Sequence, residues 1–219
     1  MKAFVITIKD NEQSMQVAER CIKSAAKHGL EVEHHWATTP KDNPHLILHK
    51  KGIQPAFFHE KYSRPENCMA AFLSHHSLWE KSVKIKDTVV IFEHDAIVTG
   101  PIPTESFDGC MTFSKPSYGK FNTPIKLGVD GLVQKKYFGG AHGYAVSPEG
   151  ARALVDKAIA HAMPTDVYLN TQYFPWLQEY YPWICLAADH FTTIQKTNGC
   201  MAKHNFSRGD YDIINAEIT

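Results

Sequence analysis

Two carboxylates and an imidazole come directly after an apolar run in this chain. Residues 88–95 read Thr-Val-Val-Ile-Phe-Glu-His-Asp, so Glu93, His94 and Asp95 close the run. Apolar residues on both faces predict a strand buried on both sides, as in a sheet covered by helices. Ligands of open α/β sheets bind beyond the carboxyl ends of the strands. Acids at that point can hold a divalent cation, and the cation can hold phosphates. The alternative is a solvated loop at which a buried strand surfaces.

The bulk composition is that of an ordinary globular protein. The chain has 219 residues, of which 43% are hydrophobic and 21% charged, and this suits one large domain or two small ones. Lysine plus arginine and aspartate plus glutamate both number 23. The resulting zero net charge argues against a broad nucleic-acid footprint, so we expect no nucleic-acid partner.

Cysteine spacing and hydropathy bear on the compartment. The five cysteines are odd in number and include no Cys-x-x-Cys pair, which disfavours a disulfide framework or a zinc ribbon. A reducing compartment is the better expectation. The sequence shows neither an apolar run of about 18 residues nor a signal-peptide pattern, so we expect a cytoplasmic protein without a transmembrane helix.

The first half of the chain has the element order of an α/β protein. Residues 3–8 and 31–37 predict strands, and the pattern between them predicts a helix, for which Asp10, Asn11 and Ser14 offer turn and N-cap chemistry. This β-α-β start indicates a parallel sheet. Residues 38–65 contain four prolines and predict an irregular segment, with at most a short helix. Residues 66–83 form the clearest amphipathic helix and lead into the apolar run.

The second half predicts further strands around a long loop. Strands are expected at 110–113, 144–146 and 184–186, and a helix is expected after the N-cap candidate Ser147. Residues 115–138 are polar, aromatic and poorly periodic. They predict a mobile loop over a site.

Three short sequence blocks carry a family resemblance. Residues 69–75 read MAAFLSH, with Leu-Trp at 78–79; residues 91–96 read IFEHDA; residues 140–147 read GAHGYAVS, with Gly-Ala at 150–151. In this order and spacing the blocks resemble glycosyltransferase family 25, the lipooligosaccharide and collagen galactosyltransferase type. Two departures stand out: the family's Glu-Asp-Asp reads Glu-His-Asp here, and the usual Gly-Cys before the Ser-His pair is absent.

The resemblance spans roughly residues 1–195 and implies a fold and a division of labour. The implied fold is a GT-A-like α/β sandwich, a mainly parallel sheet with helices on both faces. One transferase domain would occupy residues 1–219. Residues 1–100 would mainly bind the nucleotide-sugar donor, residues 101–195 would mainly bind the acceptor, and residues 196–219 would form a tail.

The resemblance also implies a reaction. A hexose, typically galactose, would pass from a UDP-sugar to a hydroxyl of a glycan or glycoconjugate acceptor, as in lipopolysaccharide biosynthesis. Mn²⁺ or Mg²⁺ would bridge the phosphates to Glu93 and Asp95, with His94 as a third ligand or a donor to phosphate. Transfer with inversion needs one base, and Asp166 is the candidate because it follows a helix stop and precedes an aromatic segment. It also falls where the family often has Pro-x-Asp. The alternative for Asp166 is a helix N-cap.

Further site residues are predicted at the same blocks and near the strand ends. The donor-binding candidates are Thr7, Ser74, His75, Gly139, Gly140 and His142. Packing is the alternative for His75, and an ordinary turn is the alternative for the glycines, which would otherwise let the backbone approach the sugar.

Aromatic and basic residues late in the chain complete the predicted site. Tyr173 and Trp176 are candidate acceptor platforms, because sugars stack their apolar faces on aromatic rings; core packing is the alternative. Four candidate cations for the diphosphate, otherwise part of a solvated tail, are Lys196, Lys203, His204 and Arg208.

Two other functions compete with an active metal-dependent transferase. A degenerate relative that binds a glycan or nucleotide without turnover is favoured by His94 and by the short chain. A metal-dependent hydrolase is disfavoured because the sequence lacks His-x-His and His-Glu-x-x-His spacings. Peripheral association with a membrane stays open.

Overall fold

A computed structural model describes residues 1–58 and 64–187, and it shows nine strands and five helices in those ranges. The strands are β1 (Lys2–Thr7), β2 (Val32–Trp36), β3 (Val89–Glu93), β4 (Ala96–Val98), β5 (Cys110–Thr112), β6 (Gly128–Gly131), β7 (Gly143–Val146), β8 (Gln178–Tyr181) and β9 (Cys185–Ala187). The helices are α1 (Glu12–Ala26), α2 (Pro44–Lys50), α3 (Pro65–Ile85), α4 (Pro148–His161) and α5 (Thr165–Tyr168), with a 3-10 turn at Pro40–Asp42.

Seven strands form one sheet in the order β2-β1-β3-β7-β5-β8-β6, and β4 pairs separately with β9. Strands β2, β1 and β3 run parallel, as the β-α-β pattern predicts. The expected mainly parallel pairing is only partly found: β5 and β8 also run parallel, but β7 runs antiparallel to both β3 and β5, and β6 runs antiparallel to β8. The α/β class predicted from the sequence is confirmed, with a mixed sheet.

Strand β3 is buried on both faces, which confirms the prediction from its continuous apolar run. Val89 and Ile91 belong to the same core cluster as Phe72 of α3. Phe92 points to the opposite face and shares a cluster with Cys21 of α1. The sheet therefore lies between helices, and β3 carries its terminal residue, Glu93, out of the core at one edge.

Helix α3 covers one face of the sheet with its apolar stripe. Met69, Phe72 and Trp79 are at most 1% exposed. His76 lies in the same stripe at 2% exposure, and its Nδ1 is 3.6 Å from a Glu80 carboxylate oxygen. The expectation that His76 is a packing residue is confirmed.

Side-chain caps fix where two helices begin. Asn11 Oδ1 accepts from the Ser14 amide at 2.8 Å before α1, and Ser147 Oγ accepts from the Gly150 amide at 3.1 Å before α4. Each cap satisfies an amide that the first helical turn leaves without a partner. Both predicted caps are confirmed.

Three strands escape sequence-based prediction. β4 follows the acidic turn, β6 lies within the segment predicted as a loop, and β8 lies in the aromatic stretch. The four cysteines in the described ranges are buried. No described helix is long and apolar enough to cross a membrane. The predicted cations Lys196, Lys203, His204 and Arg208 lie outside the described residues.

Candidate functional site

The candidate site lies at the sheet edge where β1 and β3 end. These parallel strands bring Ile6 opposite Glu93 in register. Because β7 runs the other way, its first residue, Gly143, pairs with Phe92, and the Glu93 amide donates to the His142 carbonyl at 3.2 Å. Glu93 and His142, which are 49 positions apart by their numbers, therefore meet at one edge.

A chain of hydrogen bonds reaches Glu93 from the core. Trp79 Nε1 donates to Tyr144 Oη at 2.8 Å. The Tyr144 hydroxyl is 2.9 Å from His75 Nδ1, and His75 Nε2 is 3.2 Å from Glu93 Oε1. Since the indole occupies the phenol oxygen as a donor, the phenol hydrogen is left for His75 Nδ1. His75 Nε2 then carries the proton that it donates to the Glu93 carboxylate.

This network keeps Glu93 ionised at the mouth of the site. His75 is 1% exposed, whereas the Glu93 side chain is 32% exposed and so reaches solvent. Burial acts to raise the pKa of Glu93. The hydrogen bond from His75 and the nearby His142 and His94 rings outweigh burial and lower that pKa below its ordinary value. A carboxylate fixed in this way is suited to hold positive charge.

His94 is fastened to the loop between β1 and α1. Its Nδ1 is 2.6 Å from Ser14 Oγ, which also accepts from the Ile8 amide at 2.9 Å. The end of β1, the start of α1 and the acidic turn after β3 are therefore held together. Ser14 was not predicted as a site residue, and its position near the start of a helix after the first strand is the signal that could have found it.

Asp95 follows in the same turn and is half-buried. Its backbone oxygen accepts from Arg20 Nη2 at 3.2 Å, which anchors the turn to α1. Across residues 1–58 and 64–187, no group of three or more His, Cys, Asp and Glu side chains is placed to hold a metal ion. The predicted set of Glu93, His94 and Asp95 is thus contiguous in one turn without forming a closed three-residue cage.

Asp166 lies in the short helix α5, at the same edge as Glu93. Tyr118 donates a hydrogen bond to its Oδ2, and the Val167 amide donates to its Oδ1 at 2.9 Å. Burial raises the pKa of Asp166 above its ordinary value, the Tyr118 bond opposes this, and the charge of Glu93 adds to the rise. Tyr118, which holds Asp166, follows Ser117, whose amide donates to the Gly139 carbonyl shortly before His142, so Asp166 is tied to the part of the chain that meets Glu93. Tyr118 is a site residue that the sequence did not reveal, because nothing in its polar surroundings marks it.

Gly139 and Gly140, predicted to bind the donor, lie where neighbouring protein atoms leave no space for a side chain. A Cβ on Gly139 would lie 2.6 Å from Pro116 Cβ. Gly140 has φ +120°, and a Cβ there would lie 2.7 Å from both His142 Nδ1 and Ser117 Oγ. The structure therefore explains both glycines by a tight turn that packs under residues 116–117.

Thr7 and Ser74 make internal hydrogen bonds near the same edge, and both are fully buried. Thr7 Oγ1 lies 3.0 Å from His34 Nδ1 and donates to the Val5 carbonyl. Ser74 Oγ accepts from the Thr38 amide at 2.9 Å and so ties the segment after β2 to α3. These contacts shape the crevice from behind.

The two predicted acceptor platforms differ in position. Trp176 packs on Gly109, next to Cys110, which pairs with Val146 at the end of β7. That is the sheet edge opposite Glu93, so the structure does not bring Trp176 to the candidate site. Tyr173 packs against the end of α4, with its ring centroid 5.0 Å from that of His161.

The half-buried imidazole of His35, in β2, makes folding sensitive to acid. Burial, followed by the charges of Lys81 and His75, lowers the pKa of His35 from 6.5 to about 4. Between those values the unfolded chain takes up a proton that the folded protein refuses. Stability is therefore complete above about pH 6.5 and falls as pH drops toward 4.

We expect His35→Gln to reduce the loss of stability at acid pH, because the substitution removes the titrating imidazole. Glutamine keeps an N–H donor for Ser77 Oγ, which His35 Nε2 meets at 2.7 Å. Thermal unfolding between pH 7.5 and pH 5 tests this. In the variant, the pH dependence of the free energy of unfolding should fall by roughly the uptake of one proton. His45→Gln, at an exposed position on α2, is the matched control. An unchanged acid loss in His35→Gln would contradict the assignment.

A relative supports the family resemblance. A curated protein of Anopheles gambiae, "Glycosyltransferase 25 family member", is 25% identical over 158 residues, which cover 64% of this chain. The resemblance to glycosyltransferase family 25 is thereby confirmed. The chain spans 27% of that relative's length. No family profile matches the chain.

Two solved structures are distant likenesses. One is a glycosyltransferase involved in glycosylation of the major capsid of PBCV-1, with a TM-score of 0.37 and 8% identity, covering 71% of this chain and 66% of that one. The other is a mutant of Drosophila β-1,4-galactosyltransferase 7 in complex with manganese, UDP-Gal and xylobiose. Its TM-score is 0.37 at 7% identity, and the match covers 78% of this chain and 68% of that one.

Proposed function

We propose that this protein is a glycosyltransferase that moves a hexose from a UDP-sugar to a hydroxyl of a glycan or glycoconjugate. The observation that carries the proposal is the ionised Glu93, held by His75 at a strand end and close to Asp166, in a chain that resembles family 25. The pKa of Glu93 is lowered and that of Asp166 is raised. Glu93 is therefore suited to stay ionised beside a cation, and Asp166 is suited to take up a proton.

Glu93 and Asp95 would hold the donor through a divalent cation, Mn²⁺ or Mg²⁺. Their carboxylate oxygens suit a hard cation, which would also bind the phosphates of the donor. When bound, the cation supplies charge neutralisation for the departing UDP. His94, in the same turn and with its ring held by Ser14, would donate to a phosphate or act as a further ligand.

Asp166 would act as the base. As the acceptor oxygen bonds to the anomeric carbon and the bond to UDP breaks, the acceptor proton passes to the Asp166 carboxylate. This route inverts the anomeric centre. The Tyr118 hydrogen bond orients the carboxylate before the acceptor arrives.

The division of the chain and the identity of the sugar belong to the same proposal. Residues 1–100 contribute Glu93 and its supports, and residues 101–195 contribute Asp166 and Tyr118, which matches a donor part and an acceptor part. Galactose as the sugar, Mn²⁺ as the cation and a cytoplasmic location are the family-based choices to test first.

UDP with Mn²⁺ should raise the melting temperature of the protein, and EDTA should remove the effect. A ligand that binds only the folded state stabilises it by about 2.7 kcal/mol at a hundred times its dissociation constant. ADP with Mn²⁺ is the control for base selectivity. A panel of UDP-sugars, read by UDP release, then identifies the donor.

The outcomes of this assay separate the two functions. Stabilisation by UDP without release from any donor, even with glycan acceptors present, would favour a binding protein that has lost turnover. If UDP neither stabilises the protein nor is released from any donor, the proposal is overturned.

A further inference from the structure

Residues 115–137 leave the candidate site, reach the far edge of the sheet and return. At one end Ser117 donates its amide to the Gly139 carbonyl at 2.7 Å, and Tyr118 bonds to Asp166. At the other end Tyr137 bridges to Asn170. Between these attachments the chain forms β6, the last strand of the sheet. The excursion is therefore anchored at the acceptor side of the site.

The far part of this excursion exposes large apolar side chains, which we call the apolar tip: Phe121, Ile125, Leu127 and Val133. Ile125 is 98% exposed, Leu127 72% and Val133 52%. Ile125 and Val133 line the same shallow pocket. The Asn122 amide donates to the Gln134 carbonyl at 2.9 Å, so the tip residues stay together. Such a cluster on a protein surface indicates an interaction site.

The surroundings of the apolar tip are positively charged. Residues 115–137 contain five lysines and a single acid, Asp130, whereas the whole chain has zero formal net charge. Asp130 is already paired with Lys126 at 3.3 Å. Lys115, Lys120 and Lys136 are exposed. Two acids from other parts of the chain also lie here: Glu179 accepts from the Val133 and Gln134 amides, and Glu105 lies beside Gly128. The exposed lysines nevertheless outnumber them, so a negatively charged, apolar partner fits this surface best.

We propose that the apolar tip docks on the surface of an anionic lipid bilayer. Exposed Ile and Leu side chains can enter the boundary between headgroups and acyl chains, while the lysines remain among the anionic headgroups. Each lysine near such a surface contributes about 1 kcal/mol at physiological salt. Four apolar side chains among lysines match this layered environment, in which charge lies outside and hydrocarbon inside.

Docking in this way would tether the protein to the membrane through the excursion whose attached end contacts Asp166. A glycan carried on a lipid would then lie at the same membrane as the transferase. This last step, unlike the docking itself, rests on the proposed transferase function.

Vesicle sedimentation tests the docking directly. The full chain should bind vesicles of phosphatidylcholine with phosphatidylglycerol and not vesicles of phosphatidylcholine alone, and added salt should weaken binding. The pair Ile125→Asp with Leu127→Asp should lower the partition coefficient at least about tenfold. Leu46→Asp, on α2 at 46% exposure, is the matched control and should bind as the parent does.

The alternative occupants give different results. Binding to anionic vesicles that the tip substitutions leave unchanged would overturn the proposal, as would no binding at all. Light scattering that showed a dimer abolished by Leu127→Asp, without lipid binding, would assign the tip to a second copy of this chain. UDP with Mn²⁺ should stabilise the tip variants like the parent, so failure of docking and failure of the proposed function are read separately.

Discussion

Asp166→Asn should lower the rate of sugar transfer by about 10²- to 10⁴-fold, the usual contribution of a positioned general base. Asparagine keeps the size of the side chain and an oxygen for the Val167 amide, so the short helix α5 should persist. It cannot accept the acceptor's proton. Binding of UDP with Mn²⁺ should remain within a few-fold of the parent, because Asp166 does not hold the donor in this mechanism.

The pH profile gives this prediction a second readout. Because the pKa of Asp166 is raised, its ionised fraction grows as pH rises through that higher value, and the acidic limb of the rate should lie above the range of an ordinary aspartate. The Tyr118 bond lowers the pKa, so Tyr118→Phe should move the limb to still higher pH. Asp156→Asn, exposed on α4, is the control. Full turnover in Asp166→Asn would remove Asp166 from the mechanism.

The parts of the fold that the sequence predicts are those with local signals. β3 is recognisable because consecutive apolar residues must be buried on both faces. The start of α4 is recognisable because Ser147 and Pro148 supply a cap and a compatible first turn. β6 reads Gly-Val-Asp-Gly, which has no strand propensity, and it becomes a strand because β8 offers an edge to pair with. Such pairing is a property of the assembled sheet.

The site residues can be divided in the same way, into those that a local sequence signal predicts and those that depend on the assembled fold. Helical periodicity correctly places His76 in the apolar stripe of α3. It does not predict the partner of the preceding residue, His75. That partner, Tyr144, lies 69 residues away in sequence and reaches His75 only because β7 inserts antiparallel beside β3. Tyr118 meets Asp166 across 48 residues for a similar reason. The residues that carry charge were visible in the sequence, as was His75, whereas Tyr144, Tyr118 and Ser14, which orient them, were not.

Glu93→Gln should abolish the stabilisation by UDP with Mn²⁺, and with it turnover. The Glu93 carboxylate supplies negative charge where the hydrogen-bond chain from Trp79 ends. Glutamine keeps the shape of the side chain and removes that charge. A buried His75 can still donate to the amide oxygen, so the fold should survive. Glu149→Gln, exposed in the first turn of α4, should behave as the parent. Metal-dependent UDP binding retained in Glu93→Gln would contradict the role of Glu93.

Tyr144→Phe distinguishes orientation from charge in the same network. It removes the oxygen that meets Trp79 Nε1 and His75 Nδ1 and leaves the indole donor buried without that acceptor, which costs about 1–3 kcal/mol of stability. His75 then loses the contact that directs its Nε2 proton to Glu93. Loss of a group that orients a ligand in this way commonly weakens metal affinity about 10- to 100-fold, so Mn²⁺ titration should show a graded loss where Glu93→Gln shows a complete one. An unchanged Mn²⁺ affinity in Tyr144→Phe would mean that His75 holds Glu93 without help from the core.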